Sequence, residues 1–419
     1  MTSILQREEI QEKISEIKDA DILVGIPSYN NARTIGHVVK AVQIGIAKYF
    51  PDRKSVLVNS DGGSTDGTME VVKNTTIDDS QSILLLHRVE PIYKIATPYH
   101  GIPGKGSAFR TIFEIASVLH VKACAVVDSD LRSITPEWIE LLIKPVIEGN
   151  FDYVAPLYHR HKYDGTITNS IIYPLTRALY GKQVRQPIGG DFGFSGKLAD
   201  FYLTKDVWET DVARYGIDIW MTTSAVANNF KIAQAFLGAK IHDPKDPGED
   251  LSSMLYQVVG ATFNLMETYS FMWKEIVQSE PVITCGFQYA VGLEPVSVNL
   301  ERMIDKFKLG ISELMGIWKG FLPEDIVHFL QKAGWLQKEE FIIPDNVWAR
   351  IIYCFAIAAH KNLLNREHLL KSLTPLYLGK VASFVIQTLE SSGQEVEEKI
   401  ESLCISFEKE KDFLINNWD

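Results

Sequence analysis

The chain has 419 residues, of which 46% are hydrophobic and 23% charged, with a formal net charge of −11. Such a length calls for one large domain plus a second unit, and the acidic balance without a basic block excludes nucleic acid or an anionic membrane surface as the main partner. Cys124, Cys285, Cys354 and Cys404 stand far apart with no CxxC pair, so their spacing indicates neither a zinc site nor a redox motif.

Residues 5–19 carry the charged, amphipathic pattern of a short helix and lack a signal-peptide apolar stretch. No uninterrupted apolar run is long enough for a membrane span, and the chain is read as cytoplasmic. Asp21 to Pro27 is an apolar run stopped by proline, the pattern of a strand buried on both faces. Ser28-Tyr29-Asn30-Asn31 is a turn, and Arg33 to Tyr49 a helix. The strand Ser55 to Asn59 runs into the polar loop Ser60 to Gly67, and helix signals continue from Thr68 to about Lys73. Ile83 to Leu86 reads as a third strand, Ala108 to Leu119 as a helix, and Ala123 to Val127 as a fourth strand ending on Asp128. This alternation predicts a parallel sheet with helices on both faces. Ligands of such sheets bind beyond the carboxyl ends of the strands, where the polar loops sit. Between 152 and 240 the pattern is mixed: a strand at Tyr153 to Leu157, a helical stretch at 167–180, a Gly-rich turn at 189–196, a helix near 217–229 and an apolar run at 232–237. After about residue 290 helical periods dominate. The division expected is 1–280 and 281–419, with self-association into a homo-oligomer the plainest role for the helical part.

Asp128-Ser129-Asp130 places two carboxylates one residue apart past a buried strand. A hard divalent cation takes a few such oxygens together with diphosphate oxygens, and then neutralises charge on a leaving diphosphate. Alone, the same three residues make an ordinary strand-end turn. Asp61 in its Gly-rich loop can pair with a ring N–H of uracil or guanine, and glycine lets the backbone come close; Ser64 or Thr65 can equally be a helix N-cap. Gly104-Lys105-Gly106 precedes a helix whose N-terminus adds positive potential for phosphate, without the spacing of a P-loop. Asp218 lies between Ile217 and Ile219 on an apolar helix, where an unpaired acid is costly, which favours a functional role. Arg160, Asp164 and Thr168 follow an R-x3-D-x3-T spacing; Arg160 can fork a carboxylate, and the other two can position hydroxyls. His242 offers an imidazole for metal. Taken singly, Arg160 also suits a surface salt bridge, Thr168 a helix position and His242 a solvent-facing loop.

The order of these motifs is more specific than any one of them. Ile22 to Gly67 resembles the nucleotide-binding half of GT-A glycosyltransferases, with Pro27-Ser28-Tyr29-Asn30 as the Pro-x-x-Asn turn and Asp61-Gly62-Gly63-Ser64-Thr65-Asp66-Gly67 as the acidic loop. Ser60 departs from the common double-acid form of that loop. With Arg160/Asp164/Thr168, Gln186 to Asp191, Tyr215-Gly216-Ile217-Asp218 and Lys240-Ile241-His242, the set looks like mannosylglycerate synthase and, more loosely, glucosylglycerate and glucosyl-3-phosphoglycerate synthases, over roughly residues 20–270.

The resemblance implies a Rossmann-like mixed sheet with helices on both faces, followed by an all-helical C-terminal region. It implies Pro27, Tyr29, Asn30, Asp61, Lys105, Asp128 and Ser129 at the donor nucleotide, and Arg160, Asp164, Thr168, Gly189 and Gly190 at the acceptor. Asp218 would contact the donor sugar, with Lys105 its catalytic companion, and Asp130 and His242 would hold Mg2+ or Mn2+. The activity implied is retaining transfer of glucose or mannose from a GDP- or UDP-sugar to the 2-hydroxyl of D-glycerate, a compatible-solute synthesis. The alternative acceptor is 3-phosphoglycerate, whose phosphate would want a further cation near Thr166; Thr166 itself favours unphosphorylated glycerate, and Lys162 is the cation that would compensate. From other classes come a nucleotidyltransferase, whose early GxGTR-like loop is not matched by Gly25-Ile26-Pro27-Ser28, and a non-catalytic sugar-nucleotide binding protein.

Overall fold

The structure, a computed structural model, describes residues 4–76, 90–241, 252–289 and 291–419. The expected strand Ile83 to Leu86 and the candidate ligand His242 lie outside the described residues. The chain forms two compact units that are discontinuous in sequence. One holds Met1–His159, Gln186–Asp243 and Val282–Leu293; the other holds Arg160–Arg185, Pro244–Pro281 and Glu294–Asp419. Residues 160–185 and 252–280, which precede the expected division in the chain, thus belong with the helical C-terminal residues.

Among the described residues the strands are, in chain order, β1 (Ile22–Ser28), β2 (Ser55–Asp61), β3 (Ile92–Pro98), β4 (Ala123–Val126), β5 (Tyr153–His159), β6 (Lys182–Gln183), β7 (Phe192–Ser195), β8 (Ile232–Ala239), β9 (Glu280–Pro281) and β10 (Ile283–Cys285). In the first unit eight of them form one sheet in the order β10-β8-β5-β7-β4-β1-β2-β3. All pair in parallel except β7, which runs antiparallel to β4 and β5, so the sheet is mixed, as the resemblance implies. β1, β2 and β4 are buried along their whole length, the burial that follows when helices cover both faces. Ile22, Val24 and Ile26 of β1 join the core formed with helices Ile35–Tyr49 and Pro136–Ile147. Helices Lys105–Val118 and Gly196–Leu203 pack together on the opposite face, where Phe113 meets Phe194 of β7 edge-on at 5.3 Å.

Three strands of the large sheet, β3, β7 and β10, have no counterpart in the sequence reading. β3 alternates a buried Ile95 and Thr97 with half-buried neighbours, the pattern of an edge strand. β7 occupies the second half of the stretch expected to be a Gly-rich turn. Its Gly193 reflects a close approach: a Cβ there would stand 2.0 Å from the carbonyl oxygen of Leu142.

Among the described residues the second unit is helical, apart from the short pair β6 and β9. Helix Leu300–Trp318 packs on Arg366–Thr388, and Asp345–His360 packs on Gly393–Lys409 and Lys411–Trp418. The fully buried Trp348 donates its indole N–H to the Ser170 carbonyl at 2.7 Å. Among the described residues Arg366–Thr388 is long and apolar enough to cross a membrane, which the sequence reading did not single out, and 72% of its apolar window is buried inside the protein. Lys380 on that helix is buried against Asp345 at 2.6 Å, a pairing suited to a protein interior.

Candidate active site

In the first unit, loops leave the carboxyl ends of β1, β2 and β4, and side-chain hydrogen bonds stitch them together. Asn30, at φ 54°, donates its backbone N–H to Ser64 Oγ at 2.8 Å, and its Oδ1 accepts the Thr65 N–H at 3.0 Å. Ser129 Oγ donates to Asn31 Oδ1 at 2.8 Å, and the Ser129 carbonyl accepts from Thr34 Oγ1 at 2.9 Å. Pro27 is buried within β1, whereas Tyr29 is exposed at the loop. Asp61 turns inward. Its Oδ1 accepts the N–H groups of Gly63 and Ser64 at 2.9 and 2.7 Å, and its Oδ2 accepts the hydroxyls of Ser28 and Ser64, both at 2.7 Å. A carboxylate has about four acceptor positions, and these contacts fill them, so Asp61 shapes this loop from within.

Lys105 opens the helix Lys105–Val118, and its Nζ lies 2.8 Å from Asp128 Oδ1 and 3.3 Å from Asp218 Oδ2. The flanking glycines do not simply expose it. A Cβ at Gly106 would stand 1.9 Å from the Val212 carbonyl oxygen, so glycine admits the backbone that closes over the helix start. Asp128, just past β4, accepts from Lys240 Nζ on Oδ2 at 2.7 Å and donates its backbone N–H to Asp191 Oδ1 at 2.8 Å. Lys240, just past β8, also donates to Asp191 Oδ2 and to the Gly189 carbonyl, each at 2.8 Å. Asp191 is fully buried and accepts the Tyr158 hydroxyl as well. Gly190 sits at φ 93°, and a Cβ there would stand 2.4 Å from Asp128 Oδ2, so the turn requires glycine on both grounds. Lys105, Asp128, Asp218, Gly189 and Gly190 therefore meet in one cluster, completed by Asp191 and Lys240.

Asp218 lies in the first turn of the helix Ile217–Ala227, and its Oδ1 is buried with no hydrogen-bond partner among the described residues. Burial raises its pKa, Lys105 pulls it back and the Asp128 charge raises it again, leaving it above the ordinary carboxylate range. Burial acts on Asp128 in the same direction, but Lys105 and Lys240 outweigh it and hold that carboxyl well below the usual range. Burial alone would depress Lys105; Asp128 and then Asp218 keep it above its usual value and firmly charged. Three carboxylates facing two ammonium groups leave one uncompensated negative charge, and one orphaned oxygen, in a nearly buried site. Such a site can hand Lys105 to incoming phosphate oxygens and offer Asp218 Oδ1 to a hydroxyl donor.

Both oxygens of Asp128 are taken by lysines, and Asp130 stands half-buried in the same loop. Among the described residues no three His, Cys, Asp or Glu side chains group as a metal cage. One carboxylate completed by substrate phosphates is nonetheless a usual arrangement for Mg2+. Beyond Asp130, the Arg132 N–H donates to the Ile241 carbonyl and the Ile241 N–H to Ser133 Oγ, both at 2.9 Å, so the residue preceding His242 is tied to the loop that carries Asp130.

Arg160, Asp164 and Thr168 belong to the second unit. Arg160 Nη1 lies 3.9 Å from Asp164 Oδ2, and the buried Thr168 opens a π-helical turn, Thr168–Ile172, that leads into the helix Tyr173–Tyr180. Single π turns recur at functional positions. Lys162 is not held in reserve for a phosphate: it donates to the carbonyls of Thr388, Leu389 and Ser391 at 2.7, 2.8 and 3.2 Å. The Thr166 hydroxyl is likewise engaged, 2.6 Å from the Tyr377 hydroxyl. His159 packs edge-on against Phe236 and His161 against Tyr163.

The sequence reading assigned no role to Asp191 or Lys240. The available signal was a charged residue placed directly beside an apolar strand, on the Gly-Gly turn in one case and after β8 in the other.

No family model matches the chain. A curated relative, the glucosyl-3-phosphoglycerate synthase of Petrotoga mobilis, is 24% identical over 285 residues, covering 62% of this chain and 79% of the relative. Similar solved structures include the glucosyl-3-phosphoglycerate synthase of Mycobacterium tuberculosis in complex with Mn2+, uridine diphosphate and phosphoglyceric acid, at 21% identity and TM-score 0.43, covering 61% of this chain and 82% of that one. The same enzyme in complex with phosphoglyceric acid is 20% identical at TM-score 0.44, covering 62% and 84%. The curated relative is one of the kinds of synthase that the motif order resembles.

Proposed function

We propose that this chain is a metal-dependent, retaining hexosyltransferase that moves glucose or mannose from a UDP- or GDP-linked sugar to the 2-hydroxyl of D-glycerate. The observation that carries the proposal is Lys105 held between Asp128 and Asp218 at the carboxyl edge of the sheet, with Asp218 Oδ1 buried and lacking a donor among the described residues. In this reading Lys105 exchanges its carboxylate contacts for oxygens of the leaving diphosphate, where a fixed positive charge favours departure. Asp218 accepts a hydroxyl of the transferred sugar, and its negative charge favours the positive charge that develops at the anomeric carbon. Pro27, Tyr29, Asn30 and Ser129 line the backbone that meets base and ribose, with Asp61 bracing the loop from within. Asp130 and His242 would hold Mg2+ or Mn2+, which supplies charge neutralisation of the diphosphate. By the resemblance, Arg160 forks the acceptor carboxylate and Asp164 and Thr168 orient its hydroxyls. Retention of configuration is taken from the resemblance to glycerate glycosyltransferases.

A second acceptor, 3-phosphoglycerate, is favoured by the name of the Petrotoga relative. The carbonyl contacts of Lys162 and the Thr166–Tyr377 hydrogen bond weigh against it, since neither side chain is spare for a phosphate. Incubating UDP-, GDP- and ADP-linked glucose and mannose with each acceptor, with Mg2+ or Mn2+, separates the two. Product from glycerate, lost on chelation, is expected; turnover with 3-phosphoglycerate alone would shift the assignment to the phosphorylated acceptor. Tight sugar-nucleotide binding with no product from either would leave a binding protein.

A further inference from the structure

Resting on the donor-site reading above, we infer that Lys240 is a positioning residue. It pins one oxygen of Asp128, so that only the other oxygen changes partner when a nucleoside diphosphate binds.

The two lysines of the cluster are held differently. An ammonium has three N–H donors, and Lys240 has three acceptors within 2.7 to 2.8 Å: Asp128 Oδ2, Asp191 Oδ2 and the Gly189 carbonyl. Its side chain is 5% exposed, and its Nζ also lies 5.3 Å from the ring centroid of Tyr158. These partners come from the end of β4, the turn before β7 and the end of β5, so one side chain joins three elements. Lys240 thus has no donor left for a phosphate. Lys105 is looser. It has two carboxylate partners, the second at 3.3 Å, and a side chain 16% exposed. A diphosphate that draws Lys105 away frees Asp128 Oδ1 while Oδ2 stays fixed by Lys240 and the backbone N–H of Asp128 stays on Asp191.

The charges give the inference a sign. The cluster carries one uncompensated negative charge. Lys240→Met makes it two and leaves Asp191 buried without its cation, which opposes an anionic ligand; Asp191→Asn makes it none, which favours one. A side chain that merely filled space or braced the turn would make both substitutions harmful alike.

The test is calorimetric titration of metal-free UDP and GDP, with chelator present, into the full-length protein and its K240M, K240R and D191N variants. We expect K240M to weaken binding by at least about tenfold with unchanged stoichiometry, K240R to stay within about threefold, and D191N to bind as well as or better than the parent. Equal affinity for K240M and the parent would overturn the inference, as would D191N weakened as much as K240M. If K240M does not fold, the direction of change in D191N and the rescue by K240R decide. A parent protein that binds neither nucleotide would instead overturn the donor-site reading itself, and the inference with it.

Discussion

Asp218 shows what the site costs. A carboxylate whose pKa is raised by burial disfavours the folded state wherever it is ionised in the fold, and that penalty is relieved as the pH falls through its elevated folded value toward the ordinary carboxylate range. Asp218→Asn should therefore raise the Tm at neutral pH, while transfer falls by about 100- to 1000-fold because the anionic acceptor is gone. A melting curve beside a rate assay checks both. A fall in Tm, or retained activity, would contradict the role assigned to Asp218. The same shift predicts that the acid limb of the rate profile lies above the pH of an ordinary carboxylate and disappears from the residual rate of D218N. For Asp130→Ala the expectation is loss of metal-stimulated turnover with metal-free nucleotide binding retained; metal stimulation surviving in that variant would refute its role as a ligand. Asp218 and Asp128 are legible in the sequence because an acid in an apolar context stands out. Lys240 and Asp191 are not, because their meaning lies in contacts across 112 and 63 residues of chain to Asp128.

At the scale of elements, the start of the helix Lys105–Val118 is where packing and chemistry coincide. Gly106→Ala drives a methyl into the Val212 carbonyl, and backbone cannot yield as a side chain can. Overpacking of this kind costs about 1–3 kcal/mol; a lowered Tm and weakened nucleotide binding are expected, since Lys105 is the neighbouring residue. An unchanged melting curve would show that the 212–214 backbone is not fixed against the helix. β1, β2, β4 and the helices between them were readable, because burial on both faces writes continuous apolar runs. β3 and β7 were not. An edge strand writes a weak alternation, and the glycine that lets β7 pass close to Leu142 looks in sequence like a turn. The GKG loop was legible as a helix start, yet its glycines serve packing before exposure.

On the scale of the molecule, an acidic chain keeps its key cations buried and paired, so an anionic donor must be met by local charge. The helical unit uses the same device for cohesion. Arg177, with a side chain 5% exposed, pairs with Glu401 at 2.5 Å and with Glu408 at 2.9 Å. Breaking a fully buried pair costs about 3–5 kcal/mol; Glu401 is half exposed, so Arg177→Met should cost roughly 1–3 kcal/mol, read as a lower Tm. The helical character of the C-terminal residues was plain from their periodicity. The discontinuity of the units was not, since links such as Arg177 to Glu401 span 224 residues and leave no local mark. The central claim is sugar transfer to glycerate from a donor site built on Lys105, Asp128 and Asp218, and the most direct measurement is mass spectrometry of the products formed from labelled nucleotide-sugar and D-glycerate with Mn2+. A labelled hexosylglycerate is expected from the parent protein and about 100- to 1000-fold less per unit time from D218N; free labelled hexose alone, or the same product from D218N at the parent rate, would contradict it.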